Sequence, residues 1–288
     1  MDSQPKLGII GGSGLYAMTG LADIQEHDLE TPFGKPSAPI VTGSLAGKRV
    51  AFLARHGIGH HISPSEIPFR ANIYALKSLG VEQVVSISAS GSLREDYAPG
   101  DLVIPDQLFD FTRGRQRSFF ENGLVAHISV AEPFCAQLSR QLFQAVKDSG
   151  ANVHYGGAFI TIEGPRFSTK AESHTYRAWG MSLIGMTTSP EAFLAREAEL
   201  CYAVMAHVTD FDVWHTAEAP VTVEMVIEIL NRNTTTAQQA IRKLLAELRL
   251  NRECECPGAL ASALITQRDR IPPETRQRLS IFVDKYLA

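Results

Sequence analysis

The chain has 288 residues, 44% of them hydrophobic and 20% charged, with a formal net charge of -4. That is enough apolar material for a large core, and the net acidity excludes a dedicated nucleic-acid binder, which needs a basic stripe. No apolar run approaches the roughly 20 residues that cross a bilayer, and the opening MDSQPKLGIIGG lacks the basic start and apolar stretch of a secretory leader, so no membrane partner and a cytoplasmic location are expected.

Strands and helices are predicted in alternation. Lys6–Gly11 reads as a strand ending in a glycine-rich turn. Ile40–Thr42 and Val50–Ala54 read as two strands around the turn at Ala46-Gly47-Lys48. Phe69–Leu79 has helical spacing and stops at Gly80. Gln83–Ala89 and Leu102–Ile104 are strands, and Pro133–Ser149 is a helix with Leu138, Leu142 and Val146 on one face. Ala158–Ile162 is a strand, Lys170–Trp179 a helix, Leu183–Gly185 a short strand and Pro190–Ala198 a helix. Leu200–Val208 is a buried strand. Val223 to Leu248 carry the apolar face of one or two helices, with a break expected at Asn231–Thr236, where helix propensity is low. Two weaker helical patterns follow Pro257. The pattern predicts a single α/β domain spanning residues 1–288, with a mixed central sheet flanked by helices and a less clearly patterned tail from about residue 250.

In such folds ligands bind beyond the carboxyl ends of strands. Six polar or glycine-rich clusters fall there: Gly11–Gly14, Arg55–His61, Ala89–Ser92, Glu163–Ser168, Met186–Thr188 and Thr209–Asp212. Gly12-Ser13-Gly14 can cradle an anion on its backbone N–H groups or form a plain tight turn. Gly12-x-Gly14-x-x-Ala17 with Glu30 also fits a dinucleotide fingerprint, but Gly20, Pro32 and Gly34 interrupt the helix that such a site needs. Arg55-His56 suits a phosphate, offering a bidentate fork and a second donor. It also reads as a strand-end pair, or as the tripeptide of phosphatases that use His56 as nucleophile. The small residues Ser88–Ser92 let a ligand approach the backbone closely. Phe167 can stack on a base or fill a core. Asp210 and Asp212 can read the edge of a purine, or one of them can cap a helix.

The four cysteines are too few for a disulfide-built fold. Cys135 and Cys201 read as small buried hydrophobes. Cys254-x-Cys256 lacks the spacing of a four-ligand zinc site and has no second pair near it in sequence. A local disulfide and two free thiols both stay open there.

Taken in order, GIIGGSGL, TPFGKPS, LARHG with His60, FRANIYALKSLG, ASGSLRE, PGDLVIPDQ, FDFT, AEPFC, TIEGPRFSTKAES, GMTTSPEAFLAREAELCYA and TDFDVW resemble the methylthioadenosine-cleaving branch of the trimeric purine nucleoside phosphorylase family. The resemblance runs from about Lys6 to about Ile229. It implies one α/β domain, a homo-oligomer (a trimer or a dimer of trimers), no metal or organic cofactor, and inorganic phosphate as co-substrate beside a nucleoside. It implies a phosphate site of Ser13, Arg55, His56, Ser88 and Thr187 with the backbone of Ala89. Met186 would lie under the ribose, Phe167 and Ser168 would flank the base, and Thr209, Asp210 and Asp212 would face the purine edge. Val223, Val226 and Ile227 would form the methylthio slot, and His127 would reach a neighbouring subunit's site. Asp210, Asp212 and His56 are the candidate catalytic groups. Ser13, Ser90 and Phe211 stand where Thr, Cys and Tyr are common in that family.

Overall fold

The computed structural model describes residues 4–12, 18, 20–215 and 222–287, the side chains of 223 and 225–233 excepted. Eleven strands form one sheet. Its trunk runs β2 (Ala22–His27), β3 (Ile40–Leu45), β4 (Lys48–Ala54), β1 (Leu7–Gly11) and β5 (Gln83–Ser92). At β5 the sheet branches. One arm continues through β10 (Leu183–Gly185), β9 (Ala158–Ile162) and β7 (Gln107–Phe111). The other runs through β11 (Cys201–Asp210), β6 (Leu102–Ile104) and β8 (Val153–Tyr155). Parallel and antiparallel pairs both occur, so the sheet is mixed, as expected.

Side chains leave a strand alternately to either face, and here each face meets its own helices. Tyr202, Val204, Ala206 and Val208 of β11 join the core under α1 (Phe69–Ser78), α4 (Thr188–Glu197) and α7 (Ser280–Leu287). Cys201, Ala203 and Met205 join the core under α2 (Ala136–Asp148) and α5 (Val223–Glu247). All ten residues of β11 are buried, which is why it reads as a continuous apolar run. The break expected at Asn231–Thr236 does not occur: α5 is one helix of 25 residues. Ala237, Ala240, Ile241, Leu244 and Leu245 beyond that stretch are buried against α2, and such packing outweighs a weak local propensity. Two further helices are α3 (Lys170–Ala178) and α6 (Pro273–Arg278). Among the described residues no helix is long and apolar enough to cross a membrane.

One buried carboxyl makes folding pH-dependent. Glu197 accepts hydrogen bonds from the Phe119 N–H and the Ser118 hydroxyl, both at 2.7 Å. Burial outweighs these donors and pushes its pKa up to about 7. Folding therefore takes up a proton at Glu197, and that stability is full below the unfolded pKa of about 4.5 and lost as pH rises through 7. Glu197→Gln is expected to remove this decline. Denaturant titrations at pH 5 and pH 7.5 should show wild type losing about 2–4 kcal/mol relative to the variant. Parallel pH profiles would contradict the assignment.

Candidate active site

The candidate site lies at a gap in the sheet. β1 pairs with β5 in parallel only as far as Ser86. β10 pairs with β5 antiparallel, at Gly91 and Ser92. On that side, residues 87–90 of β5 have no strand partner among the described residues. β1 and β10 thus approach β5 from opposite directions and stop with their carboxyl ends facing each other. The Gly11-Gly12 turn, Ser88–Ser90 and Met186-Thr187 meet there. β9 runs parallel to β10, so Glu163–Ser168 emerges beside Met186. β11 flanks β5 on its other side and brings Asp210 opposite Gly91 across a register shift after Val208, the kind of bulge that re-aims a side chain.

At the anion end, the Ser88 and Thr187 hydroxyls lie 3.4 Å apart, and both residues are buried. The His56 Nδ1–H donates to the Ile62 carbonyl at 2.9 Å, which turns the Nε2 lone pair outward. Burial and then the Arg55 charge lower the pKa of His56 to about 4, so the ring is neutral at physiological pH. It stacks on His60, centroids 4.2 Å apart.

Arg55, expected from sequence at the phosphate, is held by protein groups in this structure. Its Nε and Nη2 clamp both oxygens of Glu191 at 2.8 and 3.0 Å. The Ser86 hydroxyl accepts from Nη2 at 2.6 Å and the Ile87 carbonyl from Nη1 at 3.0 Å. Arg55 is 3% and Glu191 0% exposed. Burial disfavours the Arg55 charge, and Glu191 more than restores it. These bonds tie the end of β4 and the middle of β5 to α4. Glu191, whose Oε1 also accepts from the Tyr202 hydroxyl at 2.7 Å, was not foreseen, because one Glu in TTSPEAFLARE carries no sign that its partner lies 136 residues away.

At the base end, both Asp210 oxygens accept hydrogen bonds, Oδ2 from the Thr209 hydroxyl at 2.6 Å and Oδ1 from the Asp212 N–H at 2.7 Å. Asp212 sits in the left-handed region at φ 51°. Burial raises its pKa, opposed by the nearby Ser173 and Ser168 hydroxyls and reinforced by Asp210. Asp212 Oδ2, Ser168 Oγ and Ser173 Oγ are buried with no completed hydrogen bond among the described residues. The three atoms lie close to one another, a buried polar cluster with hydrogen-bonding capacity left over for a polar ligand. Gly91 is required beneath them: a Cβ there would stand 3.0 Å from Asp210 Oδ1 and 2.9 Å from Ile184.

The rim is built by a second bracket that sequence reasoning missed. Arg115 donates to the Met186 carbonyl at 2.6 Å, the Ser189 carbonyl at 2.7 Å, the Glu163 carbonyl at 2.7 Å and the Glu163 carboxylate at 3.1 Å. Burial opposes the Glu163 charge, but the N–H groups of Arg113 and Gly114, the Ser65 hydroxyl and Arg115 hold its pKa down at about 2. Gly164, at φ 69°, passes so close to Met186 that a Cβ would stand 2.6 Å from its sulfur. α3 then starts on a capping box between Thr169 and Glu172, and Arg166 clamps Glu172 with two bonds of 2.7 Å. That fixes the segment carrying Phe167, 40% exposed, and Ser168, which is buried. His127 is exposed, its N–H bonded to the Ala263 carbonyl at 2.9 Å. Ser13 and the side chains of Val223, Val226 and Ile227 lie outside the described residues.

The chain belongs to the phosphorylase superfamily, whose family model matches residues 6–246. It is 53% identical over 281 residues to the S-methyl-5′-thioadenosine phosphorylase of Chloroflexus aurantiacus, covering 97% of this chain and 98% of that one. A crystal structure of methylthioadenosine phosphorylase sourced from an Antarctic soil metagenomic library superposes with a TM-score of 0.94 at 45% identity, over 98% of this chain and 100% of that one. Methylthioadenosine phosphorylase from Schistosoma mansoni, solved in complex with adenine, superposes with a TM-score of 0.84 at 37% identity, over 90% and 97% of the two chains.

Proposed function

We propose that the chain cleaves 5′-methylthioadenosine with phosphate, giving adenine and 5-methylthioribose-1-phosphate, and that it does so in the cytoplasm as a homo-oligomer, a trimer or a dimer of trimers. The observation that carries the chemistry is the pair of buried carboxylates beside orphaned serine hydroxyls at the end of β11. The names borne by relatives near 50% identity support the substrate.

Phosphate would bind between the Ser88 and Thr187 hydroxyls, the Ala89 backbone, Ser13 and His56. As an anion arrives it raises the proton affinity of His56, which turns from acceptor at Nε2 to donor. No cofactor or metal enters the scheme. As the bond from C1′ to N9 stretches, the ribose gains oxocarbenium character. Phosphate stabilises that cation and attacks C1′, while the bonding pair leaves with the purine.

Asp210 then supplies a proton to N7. Its setting suits this: one Thr209 hydroxyl proton cannot serve both the Ser90 carbonyl, 3.4 Å away, and Asp210 Oδ2. A proton held on Oδ2 and shared with Thr209 satisfies both acceptors. Asp212 would accept from the 6-amino group. Phe167 and Ser168 would hold the base and Met186 the ribose. Val223, Val226 and Ile227 would take the methylthio group, and His127 would serve a neighbouring subunit.

Purified protein is expected to release adenine from methylthioadenosine only with phosphate or arsenate, and equal rates without either anion would make the protein a hydrolase. An acceptor facing the 6-oxo group costs about 1–3 kcal/mol. Hence kcat/KM for methylthioadenosine should exceed that for methylthioinosine at least about tenfold, and a preference for the oxo base would overturn the carboxylate reading. Sedimentation of the same sample tests assembly, a fully active monomer being incompatible with a role for His127 in a shared site.

A further inference from the structure

All four cysteines meet at one point. Cys135 precedes α2, Cys201 opens β11, and Cys254 and Cys256 stand beyond α5. Their sulfurs all lie within 4.8 Å of one another, with Cys201 and Cys254 Sγ 3.4 Å apart. Disulfide sulfurs stand about 2.05 Å apart, whereas four thiolates around a tetrahedral zinc, with bonds near 2.3 Å, stand about 3.8 Å apart. The 3.4 Å pair is too long for a disulfide and near the second arrangement, and the 4.8 Å bound on the rest keeps all four sulfurs around one point. The second pair that Cys254-x-Cys256 lacks in sequence is supplied by the fold, from Cys135 and Cys201.

The surroundings agree. Cys135, Cys201 and Cys256 are buried and Cys254 is half-buried. A cavity of about 850 Å³, lined in part by Cys135, Cys254, Cys256, Arg140, Arg196 and Arg249, gives a metal ion a way in. Four thiolates around a dication leave two negative charges. Arg196 donates from Nη1 to Cys256 Sγ at 3.5 Å while its Nη2 holds the Glu132 carbonyl, the outer-shell support that thiolate sites use. The Cys135 N–H donates to the Tyr202 carbonyl at 2.8 Å, joining two of the cysteine-bearing segments through the backbone.

We propose that Cys135, Cys201, Cys254 and Cys256 form a closed tetrathiolate site for a zinc-class dication. Four protein ligands leave no open position, so the site is structural. Binding releases each remaining thiol proton to solvent and forms four metal–sulfur bonds, with no change of oxidation state. The metal pins the segment after α5 to the start of β11. It stands a strand's length, on the order of 30 Å, from Asp210 at the other end, and so takes no part in phosphorolysis.

The test uses the full chain, purified with neither chelator nor added metal. One zinc per chain is expected, with four thiols that resist alkylation until a chelator is added. Chelation should lower Tm by at least about 5 °C. Cobalt(II) added to the stripped protein should develop thiolate charge-transfer and tetrahedral visible bands, which Cys254→Ser loses while phosphorolysis persists. Disulfides among these residues in the metal-free protein overturn the proposal. So do four thiols alkylated at once with no cobalt bands in wild type, a result that does not depend on whether any variant folds.

Discussion

Asp210→Asn is expected to lower kcat for methylthioadenosine by about 10²–10⁴, the usual worth of a positioned general acid, with little change in Tm. The amide preserves the local bonding. Its oxygen still accepts the Asp212 N–H, and its nitrogen can donate to Thr209 Oγ1 from the place of Oδ2, 2.6 Å away, as the protonated carboxyl does. It cannot hand over a proton, so the departing adenine keeps its negative charge. Asp212→Asn should act differently. An amide there can donate to a 6-oxo group, so the preference for methylthioadenosine over methylthioinosine should narrow while turnover is less affected. A fully active Asp210→Asn enzyme would remove Asp210 from the proton path.

Arg55→Ala is expected to act first on stability. It strands Glu191, 0% exposed, with half of its partners gone. Breaking a buried pair in this way costs about 3–5 kcal/mol, a fall in Tm on the order of 10 °C. Replacing Arg55 and Glu191 together by apolar residues should recover much of the loss, because no charge is then left buried. An arginine bound to phosphate would behave otherwise: Tm would hold, and the phosphate KM would rise by roughly 1.5–3 kcal/mol in binding. Thermal melts of the single and double variants beside phosphate titrations distinguish the two. An Arg55→Ala protein with wild-type Tm and weakened phosphate binding would return Arg55 to the pocket.

What sequence could show follows from burial. β1, β4, β5 and β11 are covered on both faces and read as apolar runs, with boundaries within a few residues. The strands that escaped notice, β2, β7 and β8, are the three ends of the branched sheet. β2 is exposed along nearly its whole length and β8 has three residues, none fully buried; without a buried face there is no periodicity to read. Ala89–Ser92, Met186–Thr188 and Thr209–Asp212 stand out as polar clusters after apolar strands, and the family resemblance singles out Ser88, Thr187, Asp210 and Asp212. The partners that hold them do not stand out. Glu191, Arg115 and the four-cysteine cluster depend on contacts across the sheet, and nothing local in TTSPEA, FTRGR or a lone buried Cys135 announces them.

The opposed ends of β1 and β10 also bear on how the chain tolerates length change. Strand side chains alternate with a period of two, so one residue inserted within 87–90 would invert everything after it, exchanging Ser88 and Ser90 with their neighbours. Deleting a residue from β10 would draw Thr187 away from Ser88. The stretch from Glu163 to Ser168 is held by side-chain brackets rather than by strand pairing. In chains built on this plan, residues 87–90 and β10 are therefore expected to keep a constant length.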